Sequence, residues 1–141
     1  MPYLLDTCVF SEYAKPRQNI AVTDWVDSQA QDSVYLSVLT IGEIEKGIIR
    51  MSDSRRKTAL KVFLEDLIHR FDDQVLDLTT STLRRWAKMV VGLEKNGLVL
   101  PIIDSLIAAT ALEHDLTLVT RNEVDFEPTG VKILNIWVTQ S

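Results

Sequence analysis

The stretch LLDTCVFSE, residues 4–12, joins a short apolar run to a single acid and then to a helical pattern. The run predicts a buried strand, and Asp6 falls at its carboxyl end. A carboxylate in this position is costly unless a helix cap, a metal or a substrate uses its charge. A cap for the following helix is the simplest of these three explanations. The residues elsewhere in the chain distinguish between a cap, a metal and a substrate.

Four more short apolar segments follow, and amphipathic helical patterns separate them. Two consecutive helices stand between the second and third strands, and again between the third and fourth. This alternation predicts an α/β fold with a central parallel sheet of about five strands, flanked by helices on both faces. The predicted strands lie in residues 2–5, 33–37, 74–78, 116–120 and 131–137. The longer helical patterns lie in residues 19–31, 39–51, 58–71 and 80–97.

Composition limits the class of protein. At 141 residues we expect one domain, residues 1–141, with no linker or repeat. The single cysteine, Cys8, excludes an internal disulfide, and no apolar run reaches the ~20 residues of a membrane span. We therefore expect a cytoplasmic protein. The net charge of −5 means that any contact with nucleic acid must be local.

Three further acids are predicted at the same edge of the sheet as Asp6. Glu43 lies in the first turns of the helix after the second strand, Asp104 begins a helix, and Asp125 follows the fourth strand together with Asn122. Each has an ordinary explanation, as a solvent-facing helix acid, a helix cap and a turn residue respectively. Their convergence at one rim favours a shared site, because grouped carboxylates repel one another unless a cation neutralises them.

The donor chemistry favours a hard cation. Carboxylates without His or Cys partners suit Mg²⁺ or Mn²⁺, whereas zinc prefers nitrogen or sulfur ligands, and His69 and His114 lie outside the acidic set. Such an ion is competent for phosphodiester hydrolysis and lets an acidic protein bind a polyanion. Candidate contacts to flanking phosphates are Lys46, Arg50, Arg84, Arg85 and Arg121.

Four segments together resemble the PIN-domain ribonucleases, and in particular the VapC-like toxins of bacterial toxin–antitoxin pairs. They are LLDTCVFSE (4–12), TIGEIEKGI (40–48), IIDSLIAATALEHDLTLVTRNEVDF (102–126) and ILNIW (133–137). The resemblance runs nearly from end to end. It is carried by the ordered set of four, since each segment alone is a weak signal.

The resemblance implies a PIN fold and a Mg²⁺-dependent endoribonuclease, with Mn²⁺ as a substitute ion. Carried onto this chain, it implies metal binding by Asp6, Glu43 and Asp104, with Asp125 as a fourth acid. It also implies supporting hydrogen bonds from Thr7, Thr120 and Asn122.

Members of the family are usually homodimers, and a small DNA-binding antitoxin holds them inactive by laying its C-terminal segment across the groove. The family commonly has Asn where this chain has Cys8, and this difference puts the hydrogen bonding around the first acid in question.

Two other functions are compatible with parts of the pattern. One is a catalytically silent PIN-like module for RNA binding or assembly, although all four acids are present. The other is a phosphoryl-transfer or receiver domain, which also places acids at strand ends. Such phosphatases need a second Asp at the position of Cys8, and a receiver needs a Lys near the last strand, which ILNIW lacks.

Overall fold

A computed structural model describes residues 2–137. Within this range the chain forms one parallel five-stranded sheet with the order β3-β2-β1-β4-β5. The predicted α/β architecture and all five strands are confirmed, although each strand is shorter than its apolar pattern. The strands are β1 (Tyr3–Leu5), β2 (Val34–Ser37), β3 (Val75–Leu76), β4 (Thr117–Val119) and β5 (Ile133–Leu134).

The helices occupy the intervals between the strands, with α3 and α4 after β2 and α5 and α6 after β3, as predicted. The last part of segment 131–137 differs, because only two of its residues belong to the sheet. The helices are α1 (Thr7–Tyr13), α2 (Ile20–Ser28), α3 (Val38–Ile49), α4 (Arg55–Arg70), α5 (Thr80–Lys95), α6 (Ile102–Glu113) and α7 (Glu123–Phe126).

Strand β1 lies at the centre of the sheet and pairs with β2 on one side and β4 on the other. Leu4 lies in register with Tyr35 of β2 and with Leu118 of β4. The chain proceeds outward from β1 through β2 to β3 and then returns to the opposite side, so the strand order reverses at β1. In open α/β sheets ligands bind beyond the carboxyl ends of the strands at such a point. Asp6 directly follows β1.

Alternate residues of β1 supply the cores on the two faces of the sheet, as the period of a strand requires. Leu5 packs with buried side chains of α1 to α4, including Val9 and Leu64. Leu4 points to the opposite face and packs with Ile107 of α6 and Phe126 of α7. Both faces are therefore covered by helices.

Helix ends follow local chemistry. The Ser37 side chain caps α3 by accepting from the backbone N–H of Leu39, which fixes the start of the helix that carries Glu43. Helix α5 ends at Asn96, and Gly97 adopts a φ of +73°, which a glycine adopts without strain. The predicted stop at Asn96-Gly97 is confirmed.

The apolar faces of α2 and α5 allow predicted burial to be compared with observed burial. The spacing in α2 predicts that Ile20, Val22 and Trp25 lie toward one side of the helix. Val22 is buried and Trp25 packs against the core, but Ile20 is 69% exposed because it is the first residue of the helix. Val26, one turn after Val22, is also buried. The apolar spacing in α5 predicts a core-facing stripe of Trp86, Met89, Val90 and Leu93. Leu93 is buried, the other three are partly buried, and Met89 packs against the core. In the part of the chain that is described, no helix is both long and apolar enough to cross a membrane.

Candidate active site

Asp6 is buried at the carboxyl end of β1, and only 4% of it is exposed. Its backbone N–H donates to the carbonyl of Val119 at 3.0 Å and so ties it to β4. Oδ1 accepts from the backbone N–H of Thr7 at 2.8 Å, and Oδ2 accepts from Oγ1 of Thr120 at 2.8 Å. Asp6 does cap α1, but the cap uses only one carboxylate oxygen.

Burial raises the pKa of the Asp6 carboxyl, and the nearby charge of Glu43 raises it further. Hydrogen bonds from Thr120, Thr7 and Cys8 oppose this change but do not cancel it. The charged form of Asp6 therefore needs more stabilisation than its own hydrogen bonds supply. A bound cation is the kind of partner that provides it.

Glu43 is held in place by a threonine from another element. Oγ1 of Thr7, at the start of α1, donates to Oε1 of Glu43 at 2.6 Å. The same hydroxyl lies 3.4 Å from Oγ1 of buried Thr40, one turn before Glu43 in α3. Sequence reasoning missed Thr40. Its signal is the spacing of three residues to Glu43, which puts both side chains on one side of a helix.

Asp104 lies in the first turn of α6 and is half-buried. Its pKa is raised to about 6, first by burial and then by the negative charges of Asp6, Glu43 and Asp125. The four predicted acids therefore act on one another electrostatically at one edge of the sheet. Asp125 contributes from α7 and is exposed.

The acids act on one another through their charges but do not form a closed cage. Among residues 2–137, no three His, Cys, Asp or Glu side chains lie together closely enough to hold a metal ion as they stand. The side-chain donor atoms described around Asp6 are carboxylate and hydroxyl oxygens together with the thiol sulfur of Cys8. This donor set suits a hard divalent cation, and such a cation would relieve the repulsion that raises the pKa of Asp104.

Cys8 lies beside the acids. Its Sγ is 3.6 Å from Oδ2 of Asp6, to which it donates, and 3.7 Å from Oγ1 of Thr120. Burial and the charge of Asp6 raise the thiol pKa from 9.0 to about 11. At neutral pH the group is therefore a protonated thiol that donates a hydrogen bond, and it is a poor nucleophile and metal ligand in that form.

We expect Cys8 in the folded, metal-free protein to react with iodoacetamide about a hundredfold more slowly at pH 7.5 than in the urea-unfolded chain. The reason is that a pKa about two units higher leaves about a hundredth of the thiolate. Mass spectrometry of timed samples measures both rates. Equal rates in the two states would contradict the assigned environment of the thiol.

The supporting residues and three of the candidate cations lie close to the acids in the chain but differ in their contacts. The backbone N–H of Asn122 donates to Oγ1 of Thr120 at 3.1 Å, while its side chain is exposed and forms no cap. Arg121 is exposed, and its backbone N–H interacts with the sulfur of Cys8. Lys46 is exposed on α3 after Glu43, and Arg50 is exposed at the position that caps the end of this helix.

Arg84 and Arg85 lie elsewhere. They belong to α5 and line a hollow beside the carboxyl end of α6, where Arg85 acts on the charge of Glu113. Glu113 is nine positions after Asp104 on the same helix, which is about 13 Å along the helix axis. The structure therefore does not bring these two arginines to the acids.

Known proteins share both the sequence pattern and the fold. The sequence model of the PIN domain family matches residues 3–131. VapC ribonuclease Y4jK of Sinorhizobium fredii is 33% identical over 135 residues, covering 95% of this chain and 96% of the relative. Toxin FitB of Neisseria gonorrhoeae is 32% identical over 135 residues, covering 95% of this chain and 97% of the relative. A solved structure of FitAB bound to the IR36 DNA fragment superimposes with a TM-score of 0.92 at 29% identity, covering 99% of this chain and 98% of that chain.

The chain is an α/β protein with an acidic site near the switch point of its parallel sheet, where Asp6, Glu43 and Asp125 act on Asp104. The match over residues 3–131 then gives the family: the chain belongs to the PIN domain family.

Proposed function

We propose that this chain is a metal-dependent endoribonuclease and the toxin of a toxin–antitoxin pair. The observation that carries the proposal is the grouping of the acids. Thr7 binds both Asp6 and Glu43, and the pKa of Asp104 is raised to about 6 by burial and by the charges of Asp6, Glu43 and Asp125. Acids grouped at a ligand-binding edge destabilise the fold because they repel one another, and the same charges favour binding of a cation. Relatives named as a VapC ribonuclease and a toxin support the choice of reaction and role.

Mg²⁺, or Mn²⁺ in its place, would be held by Asp6, Glu43 and Asp104, with Asp125 as the fourth acid. When bound, such an ion lowers the pKa of an attacking water and stabilises the charge that develops on the leaving oxygen. Asp6 is the member whose position the chain fixes most firmly. It is buried, and both its oxygens already accept hydrogen bonds, from Thr7 and Thr120.

The neighbouring side chains orient the acids. Thr7 serves two of them, since its backbone N–H binds Asp6 and its hydroxyl binds Glu43. Thr120 holds Asp6 from β4, and Cys8 donates to the same oxygen. These bonds hold two carboxylates in fixed orientations before an ion or an RNA arrives, which reduces the cost of organising the site.

A small DNA-binding antitoxin is the proposed inhibitor. A groove of about 310 Å³ begins at Thr7 and Glu43 and runs between α1, α3 and α4 over apolar side chains that include Phe10 and Phe63. It is shaped for an apolar segment of a partner that ends at the acids. The net charge of −5 favours a basic partner, and FitAB was solved bound to DNA.

The proposal also includes a homodimer. Exposed apolar side chains gather near Asp125, where Val99 is 87% exposed, Ile102 69% and Val124 81%. Exposed apolar groups concentrated in one region are typical of a surface that is covered in an assembly.

Purified protein incubated with RNA tests the proposed activity. We expect internal cleavage with Mg²⁺ or Mn²⁺ and none in EDTA. The Glu43→Gln variant should lose at least about a hundredfold in rate, because it removes one of the charges that binds the ion. Glu45→Gln is the matched control, since Glu45 is an exposed acid on the same helix.

Cleavage that persists in EDTA would contradict the metal-dependent mechanism. RNA binding without any cleavage, by both wild type and Glu45→Gln, would instead favour the catalytically silent module. The two outcomes are distinguished in the same gel by comparing bound and cut RNA.

A further inference from the structure

The basic hollow is a pocket with a volume of about 730 Å³, and it lies at the end of α6 remote from Asp104. Its cations come from one side of α5, because Arg84, Arg85 and Lys88 are spaced by three and four residues. The hollow is lined by Thr80, Ser81, Arg84, Arg85, Lys88, Met89, Leu112 and Thr129.

This cluster is concentrated within an acidic chain. Residues 78–93 contain three cations and no Asp or Glu, although the net charge of the protein is −5. The other basic segment, on α4, is different in character. There Arg56 donates to the carbonyl of Ala14 and Lys57 pairs with Asp53.

The three cations in the hollow are not engaged in ion pairs with the rest of the described chain. Within residues 2–137 the ion pairs involve other cations, and none includes Arg84, Arg85 or Lys88. Glu113 is the nearby acid, but it already accepts from the Thr82 hydroxyl at 2.6 Å and pairs with His114 at 3.1 Å. Positive charge is therefore free to bind an outside anion.

The polar lining matches a sugar-phosphate backbone better than a protein surface. The Thr80 hydroxyl accompanies the cations, whereas the Ser81 hydroxyl bonds Glu113 and the Thr129 hydroxyl donates to the Phe126 carbonyl. Phosphate contacts in nucleic-acid complexes commonly come from Arg, Lys, Ser and Thr. Protein interfaces instead centre on buried aromatic and aliphatic anchors. In the hollow the larger apolar side chains are Met89 and Leu112, and both are already half-buried.

The hollow and Asp104 lie at opposite ends of one helix, because Leu112, near the carboxyl end of α6, lines the hollow and Asp104 lies in the first turn. The separation of about 13 Å along α6 corresponds to about four stacked nucleotides at 3.4 Å each.

We propose that the basic hollow binds the RNA backbone at a distance from the cleaved bond, so that it holds the substrate without taking part in the chemistry. The proposal rests on the proposed ribonuclease function. It assigns Arg84 and Lys88 to phosphate binding and predicts that they affect binding of the substrate and leave the turnover of bound substrate unchanged.

The test compares two double variants that each remove one arginine and one lysine from exposed helix positions. Arg84→Ala/Lys88→Ala removes cations from the hollow and leaves Arg85 beside Glu113. Arg55→Ala/Lys61→Ala removes them from α4, outside the hollow. Binding of a fluorescent 20-nucleotide oligouridine RNA is measured in EDTA over a range of salt concentrations, so that the result does not depend on cleavage.

We expect the Arg84→Ala/Lys88→Ala variant to bind about tenfold more weakly at low salt. Its plot of log affinity against log salt should be shallower by about 1.4, because each phosphate contact to a single strand contributes about 0.7. With Mg²⁺ added, KM should rise and kcat should stay the same. Arg55→Ala/Lys61→Ala should match the wild type.

Equal affinities and equal salt slopes for the two double variants would overturn the proposal. So would unchanged RNA binding combined with lost binding of polyglutamate, which would assign the hollow to an acidic protein partner. Metal-dependent cleavage by the wild type is scored separately. The experiment therefore distinguishes an incorrect RNA-binding role for the hollow from an incorrect ribonuclease assignment.

Discussion

The Asp6→Asn variant is expected to lose RNA cleavage by about a thousandfold or more while remaining folded. The loss follows because a charged ligand to the ion is removed, and the ion supplies several kcal/mol of transition-state stabilisation, at about 1.4 kcal/mol per tenfold in rate. Folding should survive because asparagine is also a good helix cap and still accepts from the Thr7 N–H. The Thr120 hydroxyl can turn to accept from the new amide.

Single-turnover cleavage of RNA in Mg²⁺ measures this effect, with circular dichroism and thermal unfolding as the check on folding. The matched control is Asp24→Asn, an exposed acid on α2 that makes the same change of charge. A folded Asp6→Asn protein that cuts RNA at the wild-type rate would remove Asp6 from the mechanism.

The Asp104→Asn variant should lose cleavage and yet unfold at a higher temperature than the wild type in EDTA at pH 7. The pKa of Asp104 is raised to about 6 in the folded state, so the folded state binds the proton more tightly than the unfolded chain. Stability contributed by this group therefore falls as the pH rises from about 4 to about 6. Removing the charge should restore about 1 kcal/mol after solvent screening, or about 3 °C in Tm.

Thermal unfolding at two pH values checks the sign of this effect. The gain in Tm should be present at pH 7 and largely absent at pH 4.5, where Asp104 is protonated in the folded wild type. Addition of Mg²⁺ should raise the Tm of the wild type more than that of the variant, since a ligand stabilises the state that binds it. A lower Tm for Asp104→Asn at pH 7 in EDTA would contradict the repulsion among the acids.

The sequence predicts the acidic edge because the geometry of a parallel sheet limits where strand ends can lie. Asp6 follows β1 and Thr120 follows β4, and these strands are neighbours in register. Glu43 and Asp104 lie in the first turns of α3 and α6. Once the strands and helices are assigned, the geometry of a parallel sheet places these residues at the same edge.

The details that pattern reasoning does not reach depend on how helices pack against each other. Arg84 and Arg85 lie on the helix that precedes the one carrying Asp104, but α5 packs so that Thr82 meets Glu113 and Trp86 reaches Ser105. This arrangement carries the two arginines toward the far end of α6. Residue spacing alone does not fix that contact. In the same way, the distance between Thr7 and Glu43 depends on how α1 packs against α3.

A divalent cation bound among the four acids is the central element of the proposed function. Crystals soaked in MnCl₂ and measured near the manganese absorption edge test this directly through the anomalous difference map. We expect manganese density in contact with the carboxylates of Asp6, Glu43 and Asp104, and we expect it to disappear in the Asp6→Asn protein. A wild-type map at saturating manganese with no peak at these carboxylates would contradict the metal-dependent nuclease.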